Sequence, residues 1–302
     1  MSLAGGEIFL KRLYISDLDG TLLGADQRIS VKSSEILCSV IADGGYFTFA
    51  TARTAASAVK IMETVPVNVP CILMNGVCLY DLQKREYVRC EYIPAEKARE
   101  ISQFLDEHDM CAFMYKVTGG KLSCEYTGLG NAAMREFYEM RKKRYDKPFE
   151  QVESFLSAST DEVIYFALLD TQEKLEPVRR AAESIDGMRY EYYRDIYNEE
   201  LWYLEISSEK ASKYSGVQYL REEYSFDEII AFGDNFNDIP LFEAADVKIA
   251  VENAKPELKA AADIIIPSNN ENGVAVWIAE NHFGESWAEY CVSIKTERNL
   301  IR

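Results

Sequence analysis

Residues 12–22 read Arg-Leu-Tyr-Ile-Ser-Asp-Leu-Asp-Gly-Thr-Leu, and this stretch decides the fold. Its first five residues form a short apolar run, which predicts a buried strand. The run ends in Asp17, and Asp19, Gly20 and Thr21 follow closely. Glycine permits a sharp turn that presents backbone N–H groups to the outside. The stretch therefore predicts a strand that leads directly into a tight loop with two carboxylates.

Apolar runs and helical patterns alternate after this stretch, and the same alternation returns near the end of the chain. We expect helices at 30–43 (with Ser30 as the N-cap), 54–64, 212–223 and 239–244, and strands at 46–50, 71–74, 228–232, 247–251 and 263–266. A strand–helix–strand order of this kind is typical of a parallel sheet with crossover helices.

The middle of the chain has a different pattern, with longer strands that are rich in tyrosine. Strands are expected at 110–116, 121–126, 163–169 and 188–194, and helices at 95–108, 131–144 and 173–184. This part predicts a second, α+β domain with an at least partly antiparallel sheet. The simplest α/β architecture has a parallel-sheet, Rossmann-like core domain (residues 1–83 and 200–302) and an inserted α+β cap domain (residues 84–199).

Polar residues end four apolar runs of the predicted core. They are Asp17, Thr51, Asn75 and Asp234. Ligands of parallel sheets bind at the carboxyl ends of the strands, so we expect these residues to share one edge. Ordinary turn chemistry explains one such residue, but it explains four of them poorly.

Carboxylates are concentrated at two of these strand ends. Asp17 and Asp19 lie in the first, and residues 233–238, Gly-Asp-Asn-Phe-Asn-Asp, bring Asp234 and Asp238 to the second. Several carboxylates at one edge repel one another and require a cation. Because the ligands are oxygens and the chain has only two histidines, the pattern favours Mg²⁺ over zinc. A cation beside a loop of N–H groups suits a phosphate, and aspartate can attack phosphorus.

The residues 17–22, Thr51, a lysine before the helix at 212–223 and the residues 233–238 together resemble the four motifs of the haloacid-dehalogenase superfamily. The chain is most similar to the Cof-type phosphatases, which carry a large α/β cap between the second and third motifs. The resemblance implies a Mg²⁺-dependent phosphatase of small phosphorylated metabolites, with sugar phosphates as the expected class. It also implies an aspartyl-phosphate intermediate on Asp17, with Asp19 as the general acid and then the general base.

The resemblance implies roles for the other motif residues as well. Thr51 would bind the transferring phosphoryl group, Lys213 would neutralise its charge, and Asn237 would orient Lys213 or the phosphate. The implied metal ligands are Asp17, the backbone carbonyl of Asp19 and Asp234, with Asp238 holding a metal-bound water. A second aspartate at position 19 favours phosphate-ester chemistry over dehalogenation.

For three residues the sequence leaves two interpretations open. Lys213 aligns with the lysine of the third motif, but Lys210 competes, and Tyr214 stands where the family usually has glycine. Arg53 reaches the substrate or the cap, or it forms a structural salt bridge. Asn75 approaches the phosphate, or it caps a turn at the hinge.

Composition limits the partners. The chain has 33 Lys and Arg residues against 50 Asp and Glu residues, for a formal net charge of −17. Such a chain is repelled by nucleic acid and by anionic membranes, and it has no apolar run of membrane-spanning length. The partner that the resemblance implies is a small phosphate ester, and we expect a monomer or homodimer as the assembly.

The cysteines and the N-terminus suggest a compartment. The seven cysteines, at positions 38, 71, 78, 90, 111, 124 and 291, form no C-x-x-C pair. We expect reduced core thiols in a cytoplasmic protein, and no signal peptide is visible. The rival functions are a phosphomutase and a catalytically silent binding module on the same fold.

Overall fold

A computed structural model describes residues 10–145, 148–195 and 198–284. The chain divides into two compact units. The first unit consists of the described parts of Met1–Thr51, Val59–Ile72 and Lys213–Arg302, and the second of Ala52–Ala58 and Leu73–Ser212. The predicted boundaries at 83/84 and 199/200 both fall inside the second unit. Residues 73–83 and 200–212 cluster with the second unit, and the predicted limits of core and cap stay a prediction.

The strands are β1 (Arg12–Ser16), β2 (Tyr46–Phe49), β3 (Cys71–Leu73), β4 (Cys78–Asp81), β5 (Glu86–Cys90), β6 (Phe113–Thr118), β7 (Lys121–Tyr126), β8 (Phe149–Gln151), β9 (Val163–Thr171), β10 (Met188–Arg194), β11 (Leu201–Ser208), β12 (Glu228–Gly233), β13 (Val247–Val251) and β14 (Ile264–Ile266). The helices are α1 (Val31–Ala42), α2 (Ala55–Ile61), α3 (Ala95–Glu107), α4 (Ala132–Tyr145), α5 (Gln172–Ser184), α6 (Lys213–Tyr224), α7 (Ile239–Glu243), α8 (Pro256–Ala261) and α9 (Gly273–Phe283).

The first unit is built on a parallel sheet in the order β14-β13-β12-β1-β2. Its central strand, β1, is flanked by β12 and β2, and Leu13 lies opposite both Ile229 and Tyr46. Leu13 and Ile15 are fully buried, as expected of a central parallel strand. The predicted parallel sheet is confirmed. The predicted strand at 71–74 corresponds to β3. It belongs to a small sheet in the order β3-β4-β5, and its Ile72 also forms a parallel bridge with Ala50, just beyond β2.

The second unit contains a mixed sheet in the order β10-β11-β9-β6-β7-β8. Its pairs are antiparallel except for β7 with β8. Residues of α3 and α5 pack on one face, where Leu204 and Ile206 of β11 are buried. Residues of α4 pack on part of the opposite face, around Phe113 and Tyr115. The prediction of a separate α+β domain with antiparallel pairing is confirmed.

Helix ends follow simple local chemistry. Ser30 is the N-cap of α1, as predicted, and its side chain accepts a hydrogen bond from the N–H of Ser33 at 2.9 Å.

Among the described helices, none combines the length and the apolar character needed to cross a membrane.

The cysteines correct one expectation. Cys78 and Cys90 lie directly opposite each other on the antiparallel strands β4 and β5, and a disulfide joins them. Opposed positions on neighbouring strands bring two side chains within bonding reach, so the expectation of reduced thiols throughout was wrong. Four other cysteines are free thiols: Cys38, Cys71, Cys111 and Cys124. Cys291 lies outside the described residues.

Candidate active site

The carboxyl ends of β1 and β12 lie side by side and place the acidic loops together. Asp17 directly follows β1, and its N–H donates to the carbonyl of Phe232 on β12 at 2.9 Å. Asp234 directly follows β12. Thr51 lies beyond the end of β2, where it is buried and its N–H donates to the carbonyl of Ile72. Three of the four predicted strand-end residues thus belong to the first unit, each just beyond its strand.

Lys213 is the first residue of α6, and it is the cation of the acidic site. Its Nζ donates to Oδ1 of Asp17 and to Oδ1 of Asp238, each at 2.6 Å. The side chains of Lys213 and Asp238 are 1% and 0% exposed, so the three charges meet away from solvent. Lys210, the alternative, belongs to the second unit, where its backbone N–H donates to Ser208 Oγ.

Two carboxylates surround one lysine, and the balance of charge is negative. Burial and the charge of Asp238 raise the pKa of Asp17 well above its ordinary value, although Lys213 opposes this. Burial alone would lower the pKa of Lys213, but Asp17 and Asp238 raise it. Burial also raises the pKa of Asp234 to about 6, against the hydrogen bond from Thr21. A further positive charge would favour the ionised form of these carboxyl groups.

A divalent cation fits this arrangement. Carboxylate oxygens of Asp17, Asp234 and Asp238 lie within 4.8 Å of one another. An oxygen-only donor set of this kind suits Mg²⁺. The side chain of Asp19 is exposed, and its charge raises the pKa of Asp234. The Asp19 carboxyl group therefore lies near the site without being buried in it.

Residues far apart in sequence hold the acidic loop in place. Thr21 Oγ1 donates to Asp234 Oδ1 at 2.8 Å. Gly20 has φ +84°, and a Cβ atom there would lie 2.4 Å from Asp234 Oδ2, so only glycine fits. Asn253 Nδ2 donates to the carbonyl of Gly20 at 2.7 Å. Sequence reasoning missed the Thr21 side chain and Asn253, because no local pattern links residues more than 200 positions apart.

Known proteins are similar to this chain in sequence and in fold. Residues 14–278 match the haloacid dehalogenase-like hydrolase family. The chain belongs to the haloacid dehalogenase-like hydrolases. The match spans the motifs around Asp17, Lys213 and Asp234, so the predicted membership of this superfamily is confirmed.

Individual relatives agree with the family assignment. The pyridoxal phosphate phosphatase YbhA of Escherichia coli is 25% identical over 281 residues, which cover 88% of this chain and 97% of the relative. The phosphatase YwpJ of Bacillus subtilis is 27% identical over 286 residues, covering 87% and 97%. A solved structure of a sugar phosphatase of haloacid dehalogenase subclass IIB has a TM-score of 0.64 at 24% identity, covering 90% of this chain and 99% of that one. The predicted enzyme class, a haloacid-dehalogenase-type phosphatase, is confirmed together with the fold.

The fourth motif of this haloacid dehalogenase-like hydrolase ends in Asn237 and Asp238. Both lie in a 3₁₀ turn, Phe236–Asp238. Asp238 Oδ1 accepts from Lys213, and Oδ2 accepts from the N–H groups of Asp234 and Asn235 at 2.9 and 3.1 Å. Asp238 therefore positions the lysine and the loop of Asp234. Its predicted contact with a metal-bound water, and the orienting role of Asn237, stay predictions.

Arg53 and Asn75 belong to the second unit of the hydrolase. The carbonyl of Arg53 accepts from the N–H of Met74 at 3.1 Å. Asn75 has φ 52°, and its Nδ2 donates to Oε2 of Glu191 at 3.2 Å. Binding of the substrate by either residue stays a prediction.

Proposed function

We propose that this chain is a Mg²⁺-dependent phosphatase that hydrolyses small phosphorylated metabolites through an aspartyl-phosphate intermediate. The observation that carries the proposal is the buried contact of Lys213 with both Asp17 and Asp238 at the carboxyl end of the central parallel strand. A lysine held there attracts an anionic phosphoryl group to the carboxylate of Asp17. In-line positioning and charge neutralisation are the main requirements of phosphoryl transfer.

In the proposed first step, a carboxylate oxygen of Asp17 attacks phosphorus. The new bond joins aspartate to phosphorus, the ester P–O bond breaks, and Asp19 gives a proton to the departing alcohol. The exposed position of Asp19, beside the buried acids, suits exchange of protons with alcohol and water. Thr51 and Lys213 bind the phosphoryl oxygens.

In the proposed second step, Asp19 takes a proton from water, which attacks the acyl phosphate. Inorganic phosphate leaves and free Asp17 returns. Asp17, Asp234 and the carbonyl of Asp19 would hold Mg²⁺, which supplies neutralisation of the phosphoryl charge. Asp238 keeps Lys213 and the loop of Asp234 in position for both steps.

The substrate class is a finer proposal. We infer sugar phosphates, because the resemblance to the Cof-type phosphatases implies them and a structural relative is a sugar phosphatase. The relative that acts on pyridoxal phosphate supports a broader range of small esters. A cytoplasmic location, and a monomer or homodimer, stay predictions.

The decisive experiment measures phosphate release with Mg²⁺ from a panel of phosphorylated sugars, polyols and cofactors. We expect release that disappears with EDTA and in Asp17→Asn, and that falls at least about 100-fold in Asp19→Asn. Asp161→Asn, an exposed aspartate of the second unit, is the matched control and should keep full activity. Conversion of one ester into its isomer without phosphate release would instead indicate a phosphomutase. Mg²⁺ binding with no turnover of any ester would indicate a silent binding module.

A further inference from the structure

The turn after β13 contacts both acidic loops of the first unit. Asn253 Nδ2 donates to the carbonyl of Gly20, the residue after Asp19, at 2.7 Å. The backbone N–H of Lys255 donates to the carbonyl of Asp234 at 2.8 Å. All of these residues belong to the first unit. The turn therefore ties the loop of Asp19 to the loop of Asp234 through two hydrogen bonds.

The contacts of Asn253 require an amide side chain. Its Oδ1 accepts from the backbone N–H of Asn269 at 3.1 Å, and its Nδ2 donates to the carbonyl of Gly20. A backbone N–H only donates and a carbonyl only accepts, so this position needs an acceptor at one end and a donor at the other. Asn269 is held in turn, because its Nδ2 donates to the carbonyl of Leu23 at 2.7 Å. A carboxylate at position 253 would keep the contact with Asn269 and lose the contact with Gly20.

The peptide group between Gly20 and Thr21 is held at both of its polar atoms. The N–H of Thr21 donates to the carbonyl of Leu18 at 3.3 Å, and the carbonyl of Gly20 accepts from Asn253. Because a peptide group is planar, these two contacts define its orientation. Glycine has more backbone freedom than any other residue, so Asn253 restricts a link that is otherwise loose. Asp19 comes directly before this link, and its exposed side chain follows the path of the backbone.

We propose that Asn253 positions Asp19 to give its proton to the departing alcohol. The inference rests on the proposed phosphatase function and deepens it, because it concerns the first of the two proposed steps. As the ester P–O bond breaks, the proton moves from the carboxyl group of Asp19 to the departing oxygen. A general acid must lie within hydrogen-bond reach of that oxygen, so a small displacement of the loop weakens the transfer. Asn253 acts through the carbonyl of Gly20, and it is therefore a positioning residue.

Two aryl esters measure the contribution of the general acid. Phenyl phosphate and 4-nitrophenyl phosphate have the same ring and the same phosphate, but 4-nitrophenol is a much stronger acid than phenol. The 4-nitrophenolate ion leaves with little help from a proton, whereas the departure of phenolate depends on the proton from Asp19. The value of kcat/KM includes only the steps up to release of the phenol, so the later hydrolysis of the aspartyl phosphate does not enter the comparison.

In Asn253→Ala, kcat/KM for phenyl phosphate should fall about tenfold more than kcat/KM for 4-nitrophenyl phosphate. A positioned general acid supplies roughly 100-fold or more, and a displaced acid loses a part of this. Asp19→Asn should change the ratio of the two kcat/KM values further. Adding Asn253→Ala to Asp19→Asn should then leave that ratio unchanged, because a residue that acts through Asp19 has no effect once the acid is gone.

Two further variants separate the lost donor from added charge and from general loosening of the loop. Asn253→Asp keeps the size of this exposed side chain and its acceptor oxygen but loses the donor to Gly20. Its added charge repels both esters alike, so the ratio should change as in Asn253→Ala. Asn270 is the matched control, since its Oδ1 accepts from the N–H of Ala25, farther along the same loop, at 3.1 Å. Asn270→Ala should leave the ratio as in the wild type.

Equal losses with the two esters in Asn253→Ala overturn the positioning role and leave the phosphatase standing. A further change of the ratio when Asn253→Ala is added to Asp19→Asn does the same, as does an Asn270→Ala variant that changes the ratio as strongly as Asn253→Ala. Absence of phosphate release by the wild type from these esters and from the whole panel overturns the proposed function and the positioning role with it.

Discussion

Thr21 joins the two acidic loops of the candidate active site through one hydroxyl group. Its Oγ1 donates to Asp234, and this hydrogen bond holds the pKa of Asp234 down against burial. In Thr21→Val the pKa of Asp234 should rise further, so Mg²⁺ must displace a proton more often. We expect the Mg²⁺ concentration for half-maximal phosphate release to rise about tenfold, the size expected for a lost hydrogen bond to a charged group.

The Mg²⁺ defect of Thr21→Val should depend on pH. Because a raised pKa matters most where the acid titrates, the defect should be larger at pH 6 than at pH 8. Thr21→Ser keeps the hydroxyl and should stay close to the wild type. Mg²⁺ titrations of phosphate release at both pH values measure the effect, and an equal defect at the two values would contradict it.

Glu205 should make the stability of the protein depend on pH. Removal of this β11 side chain from solvent raises its pKa to about 7 from an ordinary value of 4.5. A raised folded-state pKa means that this side chain destabilises the fold progressively as the pH rises from about 4.5 to about 7. Relative to the wild type, Glu205→Gln should therefore gain about 2 kcal/mol in the free energy of unfolding between pH 5 and pH 8.

Urea unfolding of the wild type and of Glu205→Gln at pH 5 and pH 8 measures the difference in their free energies of unfolding. The contributions of the other titrating groups cancel in this difference. Glu183→Gln, an exposed position on α5, is the control and should show no such gain. A constant difference between wild type and Glu205→Gln across this range would rule out the raised pKa of Glu205.

At the scale of single residues, the sequence predicted the acids and the lysine of the candidate active site. It did not predict the residues that hold the acidic loops in place. Asp17, Lys213 and Asp234 stand next to recognisable patterns, since strand ends and helix starts are local features. Asn253 and the Thr21 hydroxyl act through contacts between distant segments. A hydrogen bond of that kind leaves no periodic signal in the sequence.

At the scale of elements, the short 3₁₀ segment Met74–Gly76 is the most constrained connection in the second unit. Gly76 has φ +102°, and a Cβ atom there would lie 2.0 Å from the carbonyl oxygen of Ser212. Gly76→Ala therefore adds a backbone clash to the cost of a positive φ, and we expect it to lower the free energy of unfolding by at least about 3 kcal/mol.

Gly44→Ala separates the two costs of the change at Gly76. Gly44 also has a positive φ, +92°, but a Cβ atom there meets nothing within 4 Å. This control should lose only about 1 kcal/mol, the cost of the backbone conformation. Equal losses in urea unfolding would show that Ser212 moves away without penalty.

Elements with a clear hydrophobic pattern could be predicted from the sequence. Elements whose place depends on pairing with a distant strand could not. The strands β1, β7 and β10 begin and end as predicted, because each has a sustained apolar or alternating pattern. The strand β11 was missed, although Leu204 and Ile206 alternate with polar residues. Its place between β10 and β9 depends on long-range pairing that a local reading does not reveal.

At the scale of the whole molecule, the two units are interleaved along the chain. The second unit comprises Ala52–Ala58 and Leu73–Ser212, so the chain passes between units four times. Composition and periodicity predicted an insertion but placed its ends inside the inserted unit. Strand β11 lies just outside the predicted cap, and it pairs with β10 and β9 of the mixed sheet.

The segment 73–212 should fold on its own. It contains the whole six-stranded sheet, the helices α3 and α5 with their shared apolar core, and the Cys78–Cys90 disulfide. Its two ends already lie together, since the backbone of Ser212 approaches Gly76 closely. Domains with adjacent termini and a core of their own commonly fold when isolated. We expect the isolated fragment to unfold in one cooperative thermal transition with a native-like near-ultraviolet circular dichroism spectrum.

The fragment 84–199, with the boundaries read from the sequence, is the matched control. It lacks β11, so β10 and β9 lose the strand that pairs with both of them, and the core under α3 and α5 loses Leu204 and Ile206. We expect no cooperative transition from this shorter fragment, because two unpaired strand edges and an open core cannot offset the conformational entropy of the chain. Absence of a cooperative transition in 73–212 would show that Leu73–Ser212 depends on the rest of the chain and is not an independent domain. Cooperative folding of 84–199 would contradict the requirement for β11.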